Sequence, residues 1–305
     1  MRKPSAAAAH REPIAFRTGR FAAVGDLQRT SLAEVWRESN DLEREKIIGS
    51  IAAEAPDFVA LLGDLVFRGS SPAGWSRFDR LAAPLSENRI PVLPVLGNHE
   101  YWIKPKQAMA NFFARFPRLD GRHWHAARYG PLAIVGLDSN IRFLPRSEWD
   151  VQREWFRRQL AAADADSEVR GLLVLVHHPP YTNSTVTPDE IHVQQTFVPP
   201  FRESAKTMAM LSGHVHSYER FHRDGKVYVV AGGGGGPRVR LAEGARRRHE
   251  DDLFEGPAVR HFHYLLAKVG AEGIEVEMKG IPKGGREFEP LDRFLLPWPA
   301  PRAGA

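Results

Sequence analysis

The stretch Phe58-Val-Ala-Leu-Leu-Gly-Asp-Leu-Val-Phe67 decides the fold, because an apolar run of strand length ends there at Asp64. A buried strand of a parallel sheet has this continuous apolar character, and glycine followed by aspartate is typical of a turn. The segment Phe21–Asp26 repeats the arrangement. Both segments therefore predict a buried strand with a carboxylate just beyond its carboxyl end.

Strands and helices alternate along the first two thirds of the chain. Further strand-like runs are Pro91–Leu96, Leu132–Leu137, Leu172–Val176 and Thr207–Leu211. Helical spacing marks Asp41–Ala55, Ser76–Ser86, Lys106–Phe116 and Glu148–Ala163. Such alternation predicts a largely parallel sheet covered by helices. Later runs with little helix between them, at Val227–Ala231, Tyr264–Val269 and Ile274–Lys279, predict a second sheet, so we expect an α/β protein of packed sheets flanked by helices.

Polar side chains that can bind metals lie just past the ends of five of these strand-like runs. They are Asp26, Asp64, Asn98, His177, His214 and His216. In open α/β sheets, ligands bind outside the carboxyl ends of the strands, so these segments bring carboxylates, an amide and imidazoles to one edge. A single Gly-Asp or Gly-Asn pair is usually only a turn. The repetition at one edge therefore predicts a metal site.

The composition limits what kind of metal site this is. The chain has 305 residues and no Cys, so disulfides, Cys-based zinc sites and a thiol nucleophile are excluded. The ligands must come from His, Asp, Glu, Asn or Gln. No window approaches the ~18 apolar residues of a membrane-spanning helix, and we expect no membrane partner. The net charge of +5 gives only weak support for nucleic acid as a partner.

The ordered set of motifs resembles the calcineurin-like metallophosphoesterases. The matching segments are Gly25-Asp26, Gly63–Phe67, Gly97–Glu100, Val174–His177 and Gly213–His216. Ser217–Arg220 and the strand that runs into Gly232–Gly236 are similar to the purple acid phosphatase branch. The resemblance extends from about Phe21 to Gly236 and implies a four-layer αββα sandwich of two packed mixed β-sheets.

The resemblance also implies a binuclear centre with two divalent ions, Mn, Fe or Zn. One metal would be held by Asp26 and His216, the other by Asn98, His177 and His214, with Asp64 as the bridge. A bridging carboxylate suits the ~3.5–4 Å metal spacing of two-metal hydrolases. A metal-bridging hydroxide would attack the phosphorus, and His99 would act as general acid or phosphate-binding group. The resemblance thus makes Asp64 and His99 the catalytic candidates.

Two positions depart from the family's pattern. Many members carry Asp-x-His in the first motif where this chain has Asp26-Leu27-Gln28, and purple acid phosphatases carry a Tyr ligand where it has Phe67. Phe67 cannot ligate, so the iron–tyrosinate band behind a purple colour is not available there. Gln28 offers its amide oxygen to a metal, binds phosphate or simply hydrogen-bonds nearby, and we include it among the metal ligands. Such a centre favours Mn²⁺ or Fe²⁺ over tightly bound Fe³⁺.

Other segments have plainer interpretations. No Gly-Lys-Ser/Thr follows Gly232–Gly236, which favours a flexible loop over a phosphate loop. The Pro-rich segment Tyr181–Pro200 is interpreted as a loop, and the basic run Arg246–Arg248 as solvated, because acidic residues follow it. His123 and His125 show no carboxylate partner, and His178 fits a pocket or a turn equally well. Substrate contact and ordinary packing are equally open for four residues beside the motifs: Arg29, Tyr101, Tyr181 and Arg220.

The expected organisation is a flexible N-terminal arm (1–19), a single metallophosphoesterase domain (20–281) and a C-terminal tail (282–305). Without a visible signal peptide, we expect a cytoplasmic protein. The expected activity is hydrolysis of a small phosphorylated substrate, either a phosphomonoester or a phosphodiester. Two alternatives stay open: a cyclic-nucleotide or nucleic-acid phosphodiesterase, and a non-catalytic scaffold with the same fold. The sequence does not decide the oligomeric state.

Overall fold

A computed structural model gives the structure of residues 12–30 and 37–300, which form two β-sheets with helices on their outer faces. The strands are β1 (Glu12–Ile14), β2 (Arg20–Val24), β3 (Val59–Leu61), β4 (Val92–Pro94), β5 (His125–Tyr129), β6 (Leu132–Gly136), β7 (Gly171–Leu175), β8 (Thr207–Ser212), β9 (Tyr218–Arg223), β10 (Lys226–Ala231), β11 (Phe262–Val269), β12 (Gly273–Ile281) and β13 (Glu289–Pro297). The helices are α1 (Asp41–Ala53), α2 (Pro72–Leu81), α3 (Ala83–Glu87), α4 (Pro105–Arg115), α5 (Arg146–Ala165), α6 (Ile191–Thr196) and α7 (Val198–Glu203).

Both sheets mix parallel and antiparallel pairs. One has the strand order β1-β5-β6-β7-β8-β10-β9, and its centre, β6-β7-β8-β10, is parallel. The other has the order β13-β12-β11-β2-β3-β4, in which β2, β3 and β4 are parallel. The parallel strands β2, β3, β7 and β8 are those that precede most of the polar motifs. Their carboxyl ends therefore place these motifs along one edge of the sandwich.

The core has three layers of apolar contact, which makes the molecule a four-layer sandwich. Successive residues of a strand point to opposite faces, so Ala23 packs between the two sheets while Val24 packs beneath α1. The cluster between the sheets joins Ala60 of β3 to Leu173 of β7. On the outer face of the other sheet, Phe156 of α5 packs against its strands. The predicted fold class, two mixed sheets flanked by helices, is confirmed.

The predicted boundaries of the arm and the tail are wrong where the structure describes them. Residues 12–14 form β1, which pairs with β5, so the arm does not extend to residue 19. β13 pairs with β12 over residues predicted to be tail, and the Trp298 indole donates to the Gly270 oxygen (3.1 Å). Proline and glycine density hid the alternation by which Phe294 and Leu296 pack against the core. Residues 1–11 and 301–305 lie outside the described part.

The segment Tyr181–Pro200, predicted as a loop, contains α6 and the start of α7. Glu190 caps α6, because its carboxylate accepts a hydrogen bond from the His192 main-chain nitrogen (3.0 Å). Pro199 and Pro200 lie in the first turn of α7, where the missing N–H costs nothing. None of the described helices has the length and apolar character needed to span a bilayer.

Candidate metal centre

The first group of predicted ligands comprises Asp26, Gln28 and His216, all buried. Asp26 Oδ1 lies 3.5 Å from His216 Nε2. The Gln28 amide satisfies both its ends when its nitrogen donates to the main-chain oxygens of Asp64 (2.9 Å) and Asp26 (3.2 Å). Its oxygen then accepts a hydrogen bond from His216 Nε2 (3.0 Å) when that ring is protonated. The main chain thus orients the Gln28 oxygen toward the two other side chains of the group.

The second group comprises Asp64, Asn98, His177 and His214. Asp64 Oδ2 lies 3.3 Å from His177 Nε2, which is 3.2 Å from Asn98 Oδ1. Ligand atoms of Asp26, Asp64 and His177 all lie within 4.8 Å of one another, which joins the two groups. A second such cluster contains His177, His178 and His214. The structure therefore brings every sequence-predicted ligand to one edge of the sandwich.

Main-chain carbonyls fix the orientation of three imidazoles. His177 Nδ1 lies 2.8 Å from the Leu62 oxygen, His216 Nδ1 2.7 Å from the Pro237 oxygen, and His99 Nδ1 2.8 Å from the Phe67 oxygen. A carbonyl can only accept, so Nδ1 carries the proton in each ring. The Nε2 atom of each neutral ring is then left with a lone pair, which is how second-shell contacts prepare a histidine to bind a metal.

Three of the predicted ligands have a strained backbone. Asp26, Asp64 and His214 have φ values of 64°, 54° and 66°, in the left-handed region that non-glycine residues seldom adopt. Each such residue costs on the order of 1 kcal/mol and persists only where the surroundings enforce it. The strain turns each side chain sharply at the end of its strand. Its location at three predicted ligands supports a functional constraint at this edge.

Glu100 holds the turn that presents Asp64, a role that sequence patterns did not assign. Its Oε2 accepts hydrogen bonds from the main-chain nitrogens of Asp64 and Gly97 (both 2.8 Å), and its Oε1 from Leu65 (2.8 Å). Burial and the nearby Asp64 carboxylate raise the pKa of Glu100 to about 7. The signal in the sequence was a carboxylate directly after Asn98-His99, in a segment otherwise rich in apolar residues.

The glycine run Gly232–Gly236 is a packed support of the centre, so its prediction as a flexible loop is wrong. A Cβ at Gly232 would lie 2.6 Å from Asp26 Oδ2, and one at Gly236 2.7 Å from the His216 ring. The Gly236 nitrogen donates to the Asp26 oxygen (2.8 Å). Glycine is needed because the backbone approaches both ligands too closely for any side chain.

The charges in the centre are strongly coupled. Burial opposes ionisation of Asp64, but His177 and His99 outweigh it and keep the pKa of Asp64 below its ordinary value. Burial likewise disfavours a charged His177, yet Asp64 raises the pKa of His177 to about 9. Burial and the adjacent His177 lower the pKa of His214 to about 3. These effects favour the charged form of His177 beside Asp64 and the neutral form of His214.

The donor set and its spacing fit a metal site. The side chains offer only nitrogen and oxygen, which suits Mn, Fe or Zn. Their mutual contacts of 3.3 to 3.5 Å between carboxylate and imidazole are longer than good charge-assisted hydrogen bonds. Atoms that share a cation surround it at about 2.0–2.2 Å and so remain about 3 Å or more apart. The Asp/His cluster therefore has the chemistry and the spread of a metal-binding site.

His99 lies at the rim of the centre. Its Nε2 is 3.8 Å from Asp64 Oδ2, and its ring stacks on Trp102 with the centroids 3.8 Å apart. The Phe67 ring packs against both, at the position where a tyrosine ligand was considered. Trp102 was not singled out in the sequence. Together these aromatic rings hold His99 beside the predicted ligands.

Of the four residues considered beside the motifs, only Arg29 lines a cavity near the centre. Tyr101 is buried and donates to Asp138 Oδ2, which also lies 3.1 Å from His123 Nδ1. Arg220 is paired with Asp292. Asp138 follows β6 at another strand end, a position that the motif search did not include, and it supplies the carboxylate partner that His123 lacked in the sequence.

The roles of Tyr181 and His178 were also left open by the sequence, and the structure places these two residues in different surroundings. Tyr181 packs against Tyr228 and beneath the Arg223 guanidinium, so it serves the core. His178 is within the second ligand cluster and contacts Ser139 Oγ through Nδ1 (2.7 Å). Arg246 and Arg248 of the basic run are exposed, as predicted, and Arg248 also donates to main-chain oxygens of Thr182 and Ser184.

Comparison with known proteins agrees with this geometry. The profile of the calcineurin-like phosphoesterases matches residues 19–218. The chain belongs to this family. Purple acid phosphatase 22 of Arabidopsis thaliana is 26% identical over 232 residues, which is 70% of this chain and 50% of that protein. A probable cyclic nucleotide phosphodiesterase of Rhodopseudomonas palustris is 33% identical over 140 residues, 44% of this chain and 47% of the other.

Among solved structures, the purple acid phosphatase of yellow lupin seeds shares the fold with a TM-score of 0.68 at 18% identity. The match covers 92% of this calcineurin-like chain and 54% of the lupin chain. The chain spans about half the length of the curated relatives it matches. The resemblance to the purple acid phosphatase-like branch is confirmed.

Proposed function

We propose that this chain hydrolyses phosphate esters at a binuclear metal centre formed by the two groups of side chains. The observation that carries the proposal is the meeting of Asp26, Asp64 and His177 within 4.8 Å at the strand ends. The long contacts between these buried groups, and imidazoles fixed with Nε2 inward, support a cation as their common partner. The substrate class is a small organic phosphate, as the matched relatives suggest.

The chain offers two sets of ligands around one shared carboxylate. Asp26, Gln28 and His216 would hold one ion, and Asn98, His177 and His214 the other, with Asp64 between them. When bound, divalent ions polarise phosphoryl oxygens and lower the pKa of water to near neutrality. Gln28 is well suited to the first set because its amide nitrogen is already satisfied by two main-chain oxygens. His178 lies near the second set and is available to contact substrate.

His99 supplies the proton for the leaving oxygen. Its Nδ1 is held by the Phe67 oxygen, so Nε2 is the atom available at the centre. Proton transfer from a positioned imidazole contributes ~10²–10⁴ in rate. The stack on Trp102 restricts the ring to the orientation needed for this transfer. In its protonated form the same group also stabilises negative charge on the leaving oxygen.

Diester hydrolysis is the second candidate, favoured by the match to the probable cyclic nucleotide phosphodiesterase. Comparing p-nitrophenyl phosphate with bis-p-nitrophenyl phosphate on the Mn²⁺-loaded protein separates the two. A preference for the monoester supports phosphatase activity, and a preference for the diester supports the second candidate. Inactivity on both substrates, together with no bound metal after loading, overturns the proposal and favours a non-catalytic scaffold.

A further inference from the structure

A cavity of about 250 Å³ lies beside the metal centre, and we call it the arginine pocket. Four arginines line it: Arg29, Arg44, Arg68 and Arg77. Its remaining wall is largely apolar and includes Val66, Phe67 and Phe78. None of the roles assigned above explains so many guanidinium groups around one cavity.

The pocket is joined directly to the metal centre. Arg29 follows Gln28, and Arg68 follows Asp64 by four residues, a span of at most about 14 Å. Phe67 is common to both sites, since its ring packs against His99 at 5.2 Å and also lines the pocket. A substrate that reaches from the centre into the pocket would pass Phe67, on the side of the centre where His99 lies.

The positive charge of the pocket is only partly neutralised. Asp41 pairs with Arg29 (3.0 Å) and Arg44 (2.5 Å), so one carboxylate serves two guanidinium groups. Within residues 12–30 and 37–300, Arg68 and Arg77 have no carboxylate at ion-pair distance, and both side chains are exposed. The Arg68 guanidinium lies over the Phe67 ring, 5.6 Å from its centroid. Arginines held in this way are suited to a phosphate, because their planar groups bind its oxygens in pairs.

We propose that the arginine pocket binds a second phosphate group carried by the leaving group, which makes bisphosphorylated organic molecules the preferred substrates. This inference rests on the proposed phosphoesterase function and specifies its substrate class. The apolar wall at Val66 and Phe78 accommodates the carbon chain or ring that joins the two phosphates. Arg68 and Arg77 are the specificity-determining residues, because described carboxylates do not neutralise them.

The test compares hydrolysis of hexane-1,6-diol bisphosphate and hexyl phosphate by the Mn²⁺-loaded protein. These probes differ only by the phosphate at the far end of the chain. We expect kcat/KM to be higher for the bisphosphate by about tenfold or more, the effect of one to two charge-assisted contacts. Arg68→Gln and Arg77→Gln should each lower this ratio several-fold, and Arg77→Lys should retain part of it because the charge remains.

Arg80→Gln is the matched control, since Arg80 is an exposed arginine of the same helix that does not line the pocket. The ratio in Arg80→Gln should equal that of the wild type. A wild-type ratio near one, with hexyl phosphate hydrolysed, overturns this inference and leaves the proposed function intact. An equal fall of the ratio in Arg80→Gln also overturns it, because bulk charge would then explain the preference. Hydrolysis of p-nitrophenyl phosphate or its diester but of neither probe overturns the inference alone, whereas inactivity on all four substrates, with no bound metal after loading, overturns the proposed function itself.

Discussion

Two polar clusters of this molecule each combine a buried carboxylate with imidazole and amide groups, but they differ in how these groups are satisfied. In the metal centre, Asp26 and Asp64 face His216 and His177 at 3.5 and 3.3 Å. The second cluster, which we call the Glu219 cluster, comprises Thr182, Asn183, Asp189, Glu219 and His249. There Glu219 accepts from Thr182 Oγ1 (2.5 Å) and the Asn183 nitrogen (2.6 Å).

This difference distinguishes the candidate metal site from the Glu219 cluster, which only supports the structure. His249 Nε2 lies 2.9 Å from Asp189 Oδ2, so the Glu219 cluster is closed by short contacts within the protein. The carboxylate–imidazole pairs of the metal centre have wider gaps, inward-facing Nε2 atoms and strained backbones at Asp26 and Asp64. Burial of charge is costly unless a partner compensates it, and a bound divalent cation would provide that compensation in the centre. Polar content alone would not have distinguished the two clusters.

The largest expected effect is from Asp64→Asn, which removes the shared carboxylate of the centre. We expect kcat for p-nitrophenyl phosphate to fall by about 10³-fold or more, because metal-ion catalysis contributes several kcal/mol. Steady-state phosphate release in Mn²⁺ measures it. Glu219→Gln is the matched control in the other cluster, with activity expected within about twofold of the wild type. Undiminished activity in Asp64→Asn would refute its role as the bridge.

His99→Ala should have the next largest effect and should act on rate without emptying the site. We expect kcat to fall by about 10²-fold or more, since a positioned proton donor is lost while the proposed ligands remain. Metal analysis by mass spectrometry should give the same metal content as the wild type. A loss of metal in parallel with activity would instead make His99 a ligand.

Glu219→Ala should affect stability and leave chemistry largely intact. The change leaves Thr182 Oγ1 and the Asn183 nitrogen without their buried acceptor, which costs about 1–3 kcal/mol for each orphaned group. Urea unfolding measures the loss, and kcat per folded molecule should stay close to the wild-type value. A large fall in activity with unchanged stability would show that the two clusters are not functionally distinct.

A smaller, pH-dependent change in stability is expected from the Glu219 carboxyl group. Burial raises the pKa of Glu219 from 4.5 to about 8, so the folded protein favours the protonated form. Its contribution to the free energy of unfolding is fully present below pH 4.5 and is lost as pH rises toward and through 8. Glu219→Gln cannot ionise, so its stability relative to the wild type should rise between pH 5 and pH 8.5 in urea titrations. A difference in the free energy of unfolding that stays constant over this pH range would contradict the raised pKa of Glu219.

No colour is expected from the metal centre. Phe67 occupies the position considered for a tyrosine ligand, and its ring packs on His99 and Trp102. The purified protein with iron bound should therefore lack an intense visible band in its absorption spectrum. A purple protein would mean that another residue supplies a phenolate to the metal.

The sequence predicted the fold and the position of the centre because both depend on local patterns. The apolar runs before Asp26, Asp64 and His177 are continuous, and their carboxyl ends define one edge of the sandwich. What the sequence did not predict depends on contacts between distant segments. Glu100 shares its hydrogen bonds with residues more than thirty positions away, and Gly232 is excluded from bearing a side chain by Asp26.

The missed elements have a similar cause. β1 and β13 lie at the edges of their sheets and carry few buried residues, so their apolar signal is weak. The arginine pocket unites Arg29 with Arg68 and Arg77 from a different part of the chain. No periodicity connects them, and only the packing of α2 beside the strand ends brings these side chains around one cavity.

The most direct test of the account is the metal stoichiometry of the purified chain after loading with Mn²⁺ and removal of free ions. Mass spectrometry should find about two ions per wild-type molecule, as expected for a site with one shared carboxylate. Asp64→Asn should retain at most about one, while Glu219→Gln should retain both. A wild-type protein that holds no Mn²⁺, Fe²⁺ or Zn²⁺ would contradict the account, because the long contacts among Asp26, Asp64 and His177 would then have no cation to explain them.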